Sequence, residues 1–124
     1  MKGYVTDLER ATIENEDFRR VLFTGPNTQL VVMTLQPGEA IGLETHDGHD
    51  QFVRVEQGEG FAELDGKRHP LSEGSAVVIP AGVAHDIVNA SKDARLRLYT
   101  LYSPPEHPEG TVHRTRREAA AAHA

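Results

Sequence analysis

Turn-forming residues recur along the chain at short intervals, and this spacing restricts the fold more than any other feature of the sequence. The turn signals are Gly25-Pro26-Asn27, Pro37-Gly38, Asp47-Gly48, Gly58, Asp65-Gly66, Gly74 and Pro80-Ala81-Gly82. Between them lie short runs that favour β-strands: RRVLFT, LVVMTL, QFVRVEQ, GFAEL, SAVVIP, HDIVN and LRLYTLY. Short strands separated by turns roughly every 8–12 residues are typical of sandwiches and closed barrels. The sequence therefore predicts an all-β fold.

Local signals place one hairpin and leave little room for helix in the first part of the chain. In AELDGKRHPL, Asp65-Gly66 separates two short arms, which is a strong hairpin signal. No stretch before residue 112 has a convincing helical period, although DLERATIENEDFRR could hold one or two turns.

The chain changes character after residue 103. SPPEHPEG is rich in proline, which fixes φ and disfavours helix in the residue before it. In TRREAAAAHA, Thr115 and Glu118 form a capping-box pattern, followed by alanines with high helix propensity. We predict one domain over residues 1–124, with a barrel core at about 18–103 and, at 104–124, a proline-rich strap along the barrel surface and a short, exposed, fraying helix. A role of the strap in the active site is the alternative.

The charge of the chain opposes a nucleic-acid partner. Thirteen basic and nineteen acidic residues give a formal net charge of −6, which repels phosphate backbones. The one basic concentration, Arg114, Arg116 and Arg117, lies next to Glu118 and is interpreted as a solvated helix end. We therefore expect no nucleic-acid partner.

The absence of cysteine removes disulfides, thiolate nucleophiles and cysteine-based zinc sites from consideration. A metal would have to bind imidazole, carboxylate or amide oxygen. The N-terminus, MKGYVTDLER, lacks the apolar core of a signal peptide, and no apolar run is long enough to span a bilayer. We expect a cytoplasmic protein with no membrane partner.

A polar cluster in LETHDGHDQF predicts a metal site. Glu44 and His46 point to the same face of a strand, roughly 6.6 Å apart along the backbone. After the turn at residues 47–50, Gln51 shares a face with Val53 and Val55 in the next strand. If the valines face the interior, three polar groups need partners there, and a cation would satisfy them together.

A further imidazole enters an apolar strand at His85, which shares its face with Ile87 and Asn89. Of the remaining histidines, His49 is predicted to lie in an exposed turn and His69 on the surface. No role is assigned to the tail residues His107, His113 and His123. Asn89 is expected to bond backbone at a turn, and Tyr99 and Tyr102 either to pack or to line the mouth of the barrel.

With these residues in view, the chain resembles a small single-domain cupin. The second cupin motif, G-x5-P-x-G-x2-H-x3-N, is matched at every fixed position by Gly74, Pro80, Gly82, His85 and Asn89. The first motif, G-x5-H-x-H-x(3,4)-E-x6-G, is matched at Gly38, His46 and Gly58, whereas Glu44 replaces a histidine and Gln51 replaces the glutamate. The resemblance implies a double-stranded β-helix (jelly-roll barrel), one buried divalent metal ion and a homodimer. Small cupins of this kind are often described as similar to mannose-6-phosphate isomerase.

The predicted metal ligands are Glu44, His46, Gln51 and His85. Two imidazoles, one carboxylate and one amide carry a ligand charge of −1, the same as three imidazoles and a carboxylate. Gln51 is the weakest ligand, and without it two histidines and one carboxylate remain, a set used by non-haem iron oxygenases. Zinc, iron, manganese, nickel and cobalt all stay open.

Two functional hypotheses follow from this site. In the first, the protein is an enzyme that acts on a small sugar-like or enol-like substrate rich in oxygen, by metal-assisted Lewis-acid chemistry, as an isomerase or a dioxygenase. Glu44 is the candidate catalytic base if it does not bind the metal. In the second, the barrel binds or senses a small molecule without catalysis.

Overall fold

The computed structural model describes residues 2–122, in which nine strands and two short helices occur. The helices are α1 (Leu8–Glu14) and α2 (Arg116–Ala122). The strands are β1 (Arg19–Thr24), β2 (Gln29–Leu35), β3 (Asp50–Gln57), β4 (Gly60–Leu64), β5 (Lys67–Leu71), β6 (Ala76–Ile79), β7 (His85–Val88), β8 (Leu96–Ser103) and β9 (Val112–His113). Each predicted strand run is present with its ends moved by at most one residue. None of the helices in the described part of the chain is long and apolar enough to cross a membrane.

The strands form two antiparallel sheets, which confirms the all-β jelly-roll prediction. One sheet has six strands in the order β6-β3-β8-β2-β1-β9, and the other has three in the order β5-β4-β7. Consecutive residues of a strand face opposite sides, so each sheet offers one apolar face. Val53 and Leu98 of the larger sheet and Ala62 and Ile87 of the smaller one belong to a single buried cluster. The core therefore lies between the two sheets.

The predicted hairpin at Asp65-Gly66 is confirmed. Strands β4 and β5 pair in register from Gly60 with Leu71 to Leu64 with Lys67, leaving a two-residue loop. Asp65 has φ 48° and Gly66 has φ 82°. A type I′ turn requires positive φ at both central residues, and its twist matches that of the flanking strands.

Helix α1 confirms the expectation of one or two helical turns near the N-terminus. The Asp7 side chain caps it by accepting a hydrogen bond from the Arg10 backbone N–H at 3.2 Å. Thr12, on its inner face, is fully buried. This short helix therefore packs against the barrel through one face.

The C-terminal segment contains the predicted short helix, but one residue of this helix is buried. The predicted cap is present, because the Thr115 hydroxyl accepts from the Glu118 backbone N–H at 3.1 Å. However, Ala119 belongs to the hydrophobic core, and Arg116 donates to the Ala40 carbonyl at 2.6 Å instead of lying in a solvated helix end. Strand β9 also pairs with β1 at the edge of the larger sheet. The tail is held by burial and hydrogen bonds, which a reading of local helix propensity could not detect.

Candidate metal centre

Glu44 and His85 lie directly opposite each other in an antiparallel bridge. The Glu44 N–H donates to the His85 carbonyl and the His85 N–H donates to the Glu44 carbonyl, both at 2.9 Å. Residues paired in this way have Cα atoms about 5.5 Å apart and side chains on the same face of the sheet. The bridge extends the smaller sheet past β7 and brings two distant segments of the chain to one point.

His46 completes a cluster of three side chains. It follows Glu44 by two residues, and its Nε2 lies 2.9 Å from Glu44 Oε2. The His46 and His85 ring centroids are 5.2 Å apart. One ligand atom from each of Glu44, His46 and His85 lies within 4.8 Å of the other two, so this group could hold a metal ion.

A backbone carbonyl fixes the proton on His85. Its Nδ1 lies 2.9 Å from the Val83 carbonyl oxygen, which can only accept, so Nδ1 carries the hydrogen. In the neutral ring, Nε2 is then the atom with a free lone pair. Metal-binding histidines are commonly oriented in this way by a carbonyl or carboxylate on the other nitrogen.

Two of the predicted ligands each have a buried polar atom that makes no hydrogen bond to any of residues 2–122. One is His46 Nε2, whose approach to Glu44 does not have hydrogen-bond geometry, and the other is Gln51 Oε1. An unsatisfied buried polar atom costs about 1–3 kcal/mol. Imidazole nitrogen, carboxylate oxygen and amide oxygen are all donors to divalent cations. The residues present therefore fit a cation.

Gln51 faces the interior, as the alternation along its strand predicts. It is 4% exposed, and Val53 and Val55 on the same face are fully buried. Its amide N–H donates to the Thr100 hydroxyl at 3.1 Å, which leaves Oε1 as the atom available to a cation. That Gln51 is a ligand stays a prediction.

The proline-rich strap supplies a residue that sequence reasoning missed. Glu106 Oε2 lies 2.7 Å from His49 Nε2 and 3.5 Å from His46 Nδ1. His49 Nδ1 also lies 2.8 Å from the Pro104 carbonyl. Both nitrogens of His49 thus lie next to oxygen atoms of the strap. In the sequence, Glu106 is only an acidic residue in a proline-rich segment, and this pattern does not indicate a functional site.

The prediction that His49 lies in an exposed turn was partly wrong. His107 lies in the tail as predicted, and His123 lies outside the described residues. His49 is in the turn after His46, but it is half-buried and bonded to the strap. His107 is buried, with its ring 5.2 Å from that of Tyr102 in an edge-to-face contact. The strap folds back over the end of the barrel, which places Glu106 beside His46 and His49.

Tyr102 packs beneath the cluster and is 2% exposed. Its ring lies 6.0 Å from that of His46. Burial raises the pKa of the Tyr102 hydroxyl, and the nearby Glu44 and Glu106 raise it further, although Arg19 opposes the shift. The phenol therefore stays neutral at physiological pH. Asn89 and His69 lie where they were predicted: Asn89 donates to the Leu35, Gln36 and Ala94 carbonyls, and His69 is exposed.

Comparison with known proteins finds relatives along nearly the whole chain. The protein YrkC of Bacillus subtilis (strain 168) is 42% identical over 127 residues, covering 98% of this chain and 68% of that protein. The crystal structure of BH2720 from Bacillus halodurans is 40% identical, covers 97% of this chain and 95% of that one, and superposes with a TM-score of 0.93.

A more distant relative has a name that states a function. Quercetin 2,3-dioxygenase of Bacillus subtilis (strain 168) is 31% identical over 84 residues, which are 68% of this chain and 25% of that protein. The family described as "Cupin domain" matches residues 31–102. These residues include both motifs, the Glu44–His85 bridge and His46. The chain belongs to the cupin family.

Proposed function

We propose that this cupin is a metal-dependent enzyme that acts on a small, oxygen-rich substrate. The observation that carries the proposal is the meeting of Glu44, His46 and His85 ligand atoms within 4.8 Å. The buried Gln51 Oε1, which makes no hydrogen bond within residues 2–122, supports a cation beside them.

Glu44, His46 and His85 would hold the ion, with Gln51 as the proposed fourth ligand. A bound divalent ion supplies Lewis-acid polarisation of substrate oxygen atoms. Two neutral imidazoles and one carboxylate leave a site charge of +1 with a divalent ion, which favours a substrate that is an anion or becomes one. Zinc, iron, manganese, nickel and cobalt are all compatible with these donors.

The pair formed by Glu106 and His49 is proposed to move a proton for the reaction. The Glu106 carboxylate lies 2.7 Å from His49 Nε2 and 3.5 Å from His46 Nδ1, so a carboxylate and an imidazole lie side by side. Such a pair can take a proton from a carbon next to a carbonyl and return it elsewhere, which suits isomerisation through an enol. The role of Glu44 as base is the alternative, which applies if the carboxylate does not bind the metal.

The relatives leave the reaction class open between isomerase and dioxygenase. The name Quercetin 2,3-dioxygenase supports oxidation of an enol-like substrate on this scaffold. The similarity to mannose-6-phosphate isomerase stays a prediction from the motifs. Since one fold can support many different reactions, the isomerase and dioxygenase hypotheses have to be distinguished from the residues of the site and not from the fold.

A second candidate is a barrel that binds a small molecule without catalysis. It is favoured by the name of another relative, the Oxalate-binding protein of Thermotoga maritima, which is 33% identical over 57 residues. In this alternative, the same three side chains would hold an ion that only anchors the ligand.

The test begins with metal binding by untagged protein, measured by calorimetry with zinc, cobalt, manganese, nickel and anaerobic iron. We expect one equivalent to bind, and His85→Ala to lower the affinity by at least about a hundredfold because it removes a ligand. His69→Ala, which changes an exposed histidine, is the matched control. Binding that is unaffected by His85→Ala would contradict the site.

The enzyme and the binding barrel are then separated by proton exchange. The metal-loaded protein is incubated in D2O with small hydroxyketones and hydroxyacids, and exchange at the carbon next to the carbonyl is followed by NMR. Exchange that is lost in Glu106→Gln supports the enzyme. Saturable binding without exchange or oxygen uptake supports the second candidate.

A further inference from the structure

A second concavity adjoins the metal cluster, under helix α2. It has a volume of about 110 Å³ and is lined by Glu44, by the apolar side chains of Phe18, Ile41 and Ala119, and by two arginines, Arg19 and Arg116. Glu44 thus lies between the metal cluster and this cavity. The space is enough for roughly three or four water molecules.

Arg19 is an unusual residue for the wall of such a cavity. Its side chain is buried, at 3% exposure, and its Nε makes no hydrogen bond to residues 2–122. One terminal nitrogen donates to His113 Nδ1 at 3.2 Å, and the guanidinium lies 5.3 Å from the centre of the Phe18 ring. Neither of these partners carries a negative charge to match the arginine. A buried charge of this kind ordinarily has a paired anion.

Arg116 adds a second positive charge to the lining of the cavity. Its Nε donates to the Ala40 carbonyl at 2.6 Å, which fixes the stem and leaves the terminal nitrogens with further donor capacity. Like Arg19, it forms no salt bridge within the described part of the chain. Two arginines therefore face a small cavity whose other lining is apolar except for Glu44.

We propose that this cavity is an oxyanion subsite, in which Arg19 and Arg116 bind the carboxylate or phosphate of a small substrate whose other oxygens face the metal cluster. This rests on the proposed function and narrows its substrate class to anions. The planar guanidinium offers parallel N–H donors that match the two oxygens of such a group. When Glu44 binds a metal ion, its negative charge is balanced by the ion, and the positive charges of the two arginines are then without a counter-charge in the cavity. The overall charge of −6 gives no general attraction for anions, so the attraction has to be local.

The experiment uses the full chain, first metal-free and then loaded with zinc, and two probes: glycolate and inorganic phosphate. Glycolamide, which is neutral and has a shape close to that of glycolate, is the control ligand. The readout is the Arg19 Nε–H signal in a ¹⁵N-correlated NMR spectrum, assigned by its loss in Arg19→Lys. We expect glycolate or phosphate to shift this signal in a saturable way and glycolamide to leave it in place. The probe that shifts it identifies the group as carboxylate or phosphate.

Affinities of the variants provide a second readout. Arg116→Met should weaken anion binding by about tenfold or more, because it removes charge-assisted hydrogen bonds. Arg117→Met changes an exposed arginine of the same helix and should stay within about twofold. Arg19→Lys keeps the charge but loses the fork of donors, and should also weaken binding, whereas Arg20→Lys on the outer face of the same strand should not. Circular dichroism and zinc affinity establish that each variant is folded.

The outcomes separate this subsite from the metal centre. Zinc binding with an Arg19 signal that neither anion moves would overturn the subsite and leave the proposed function standing. Equal losses in Arg116→Met and Arg117→Met would also overturn it. Failure to bind any divalent ion would overturn the proposed function, while saturable shifts in the metal-free protein would still support the subsite.

Discussion

At the scale of the residue, the metal centre depends on which backbone positions face each other. Glu44 and His46 share a face because strand side chains alternate, and this relation could be read from the sequence. His85 joins them because its backbone exchanges two hydrogen bonds with that of Glu44. A slip of one residue in that pairing would turn His85 to the opposite face. The geometry of the metal centre therefore depends on the register of one short bridge between Glu44 and His85.

Gln51 provides the sharpest test at this scale. If its Oε1 binds the metal, Gln51→Ala should lower the affinity for zinc by about tenfold, as expected for loss of a weak neutral ligand. Gln57→Ala, an exposed glutamine at the far end of the same strand, should have no effect. Calorimetric titration of both variants with zinc is the measurement. If Gln51→Ala and Gln57→Ala bind zinc with equal affinity, Gln51 is not a metal ligand and its buried oxygen has no role in the site.

At the scale of the element, the side chain of Gln29 makes three hydrogen bonds to the strap after β8. Gln29 is fully buried; its amide N–H donates to the His107 carbonyl at 2.7 Å, and its Oε1 accepts from the Glu106 and His107 N–H groups at 3.1 and 3.0 Å. These bonds position Glu106 beside His46 and His49. A strand residue of the larger sheet thereby brings a tail residue to the site.

Gln29→Ala should therefore lower the free energy of unfolding by about 2–4 kcal/mol, because three backbone groups lose a partner. Gln57→Ala should change it by no more than about 0.5 kcal/mol. Urea unfolding measures both. If Gln29→Ala changes stability by less than about 1 kcal/mol, the strap is not anchored through this side chain.

Helix α2 gives a second prediction at this scale. Ala119 lies in the core at 4% exposure, whereas Ala121 is exposed. Ala119→Glu would force a carboxylate into apolar surroundings and should cost about 3 kcal/mol. Ala121→Glu should be neutral within about 0.5 kcal/mol, as a surface change. Thermal and urea unfolding of the pair would show whether α2 frays, in which case both variants would behave alike.

At the scale of the whole molecule, the two sheets share a single apolar core, and the polar groups of the metal cluster lie together at one end of the barrel. The motifs, the strand runs and the hairpin could be predicted from the sequence, because they depend on residues near one another in the chain. The contributions of Glu106, His49 and Arg116 to the site region could not, because they depend on the path of the tail across the barrel. Homodimerisation and cytoplasmic location stay predictions, and light scattering would test the first of them.

Metal binding should stabilise the whole fold, because the cluster joins segments that separate on unfolding. At free zinc about a hundredfold above the dissociation constant, the free energy of unfolding should rise by about 2.7 kcal/mol. This increment should be present near neutral pH and shrink as the pH is lowered, since protons compete with the metal for His46 and His85. Thermal unfolding with and without zinc across that pH range is the measurement. His85→Ala should abolish the increment, and an increment retained in that variant would assign the stabilisation to another site.

The sequence by itself determined the strand and turn pattern, the inward face of Gln51 and the choice of Glu44, His46 and His85, because alternation and motif spacing are local properties of the chain. The tertiary structure decided that Glu44 stands across from His85, that Glu106 reaches His46, and that Arg19 and Arg116 face one cavity. Each of these contacts joins residues distant along the chain, and only the packing of sheets, strap and helix around a shared core fixes such distances.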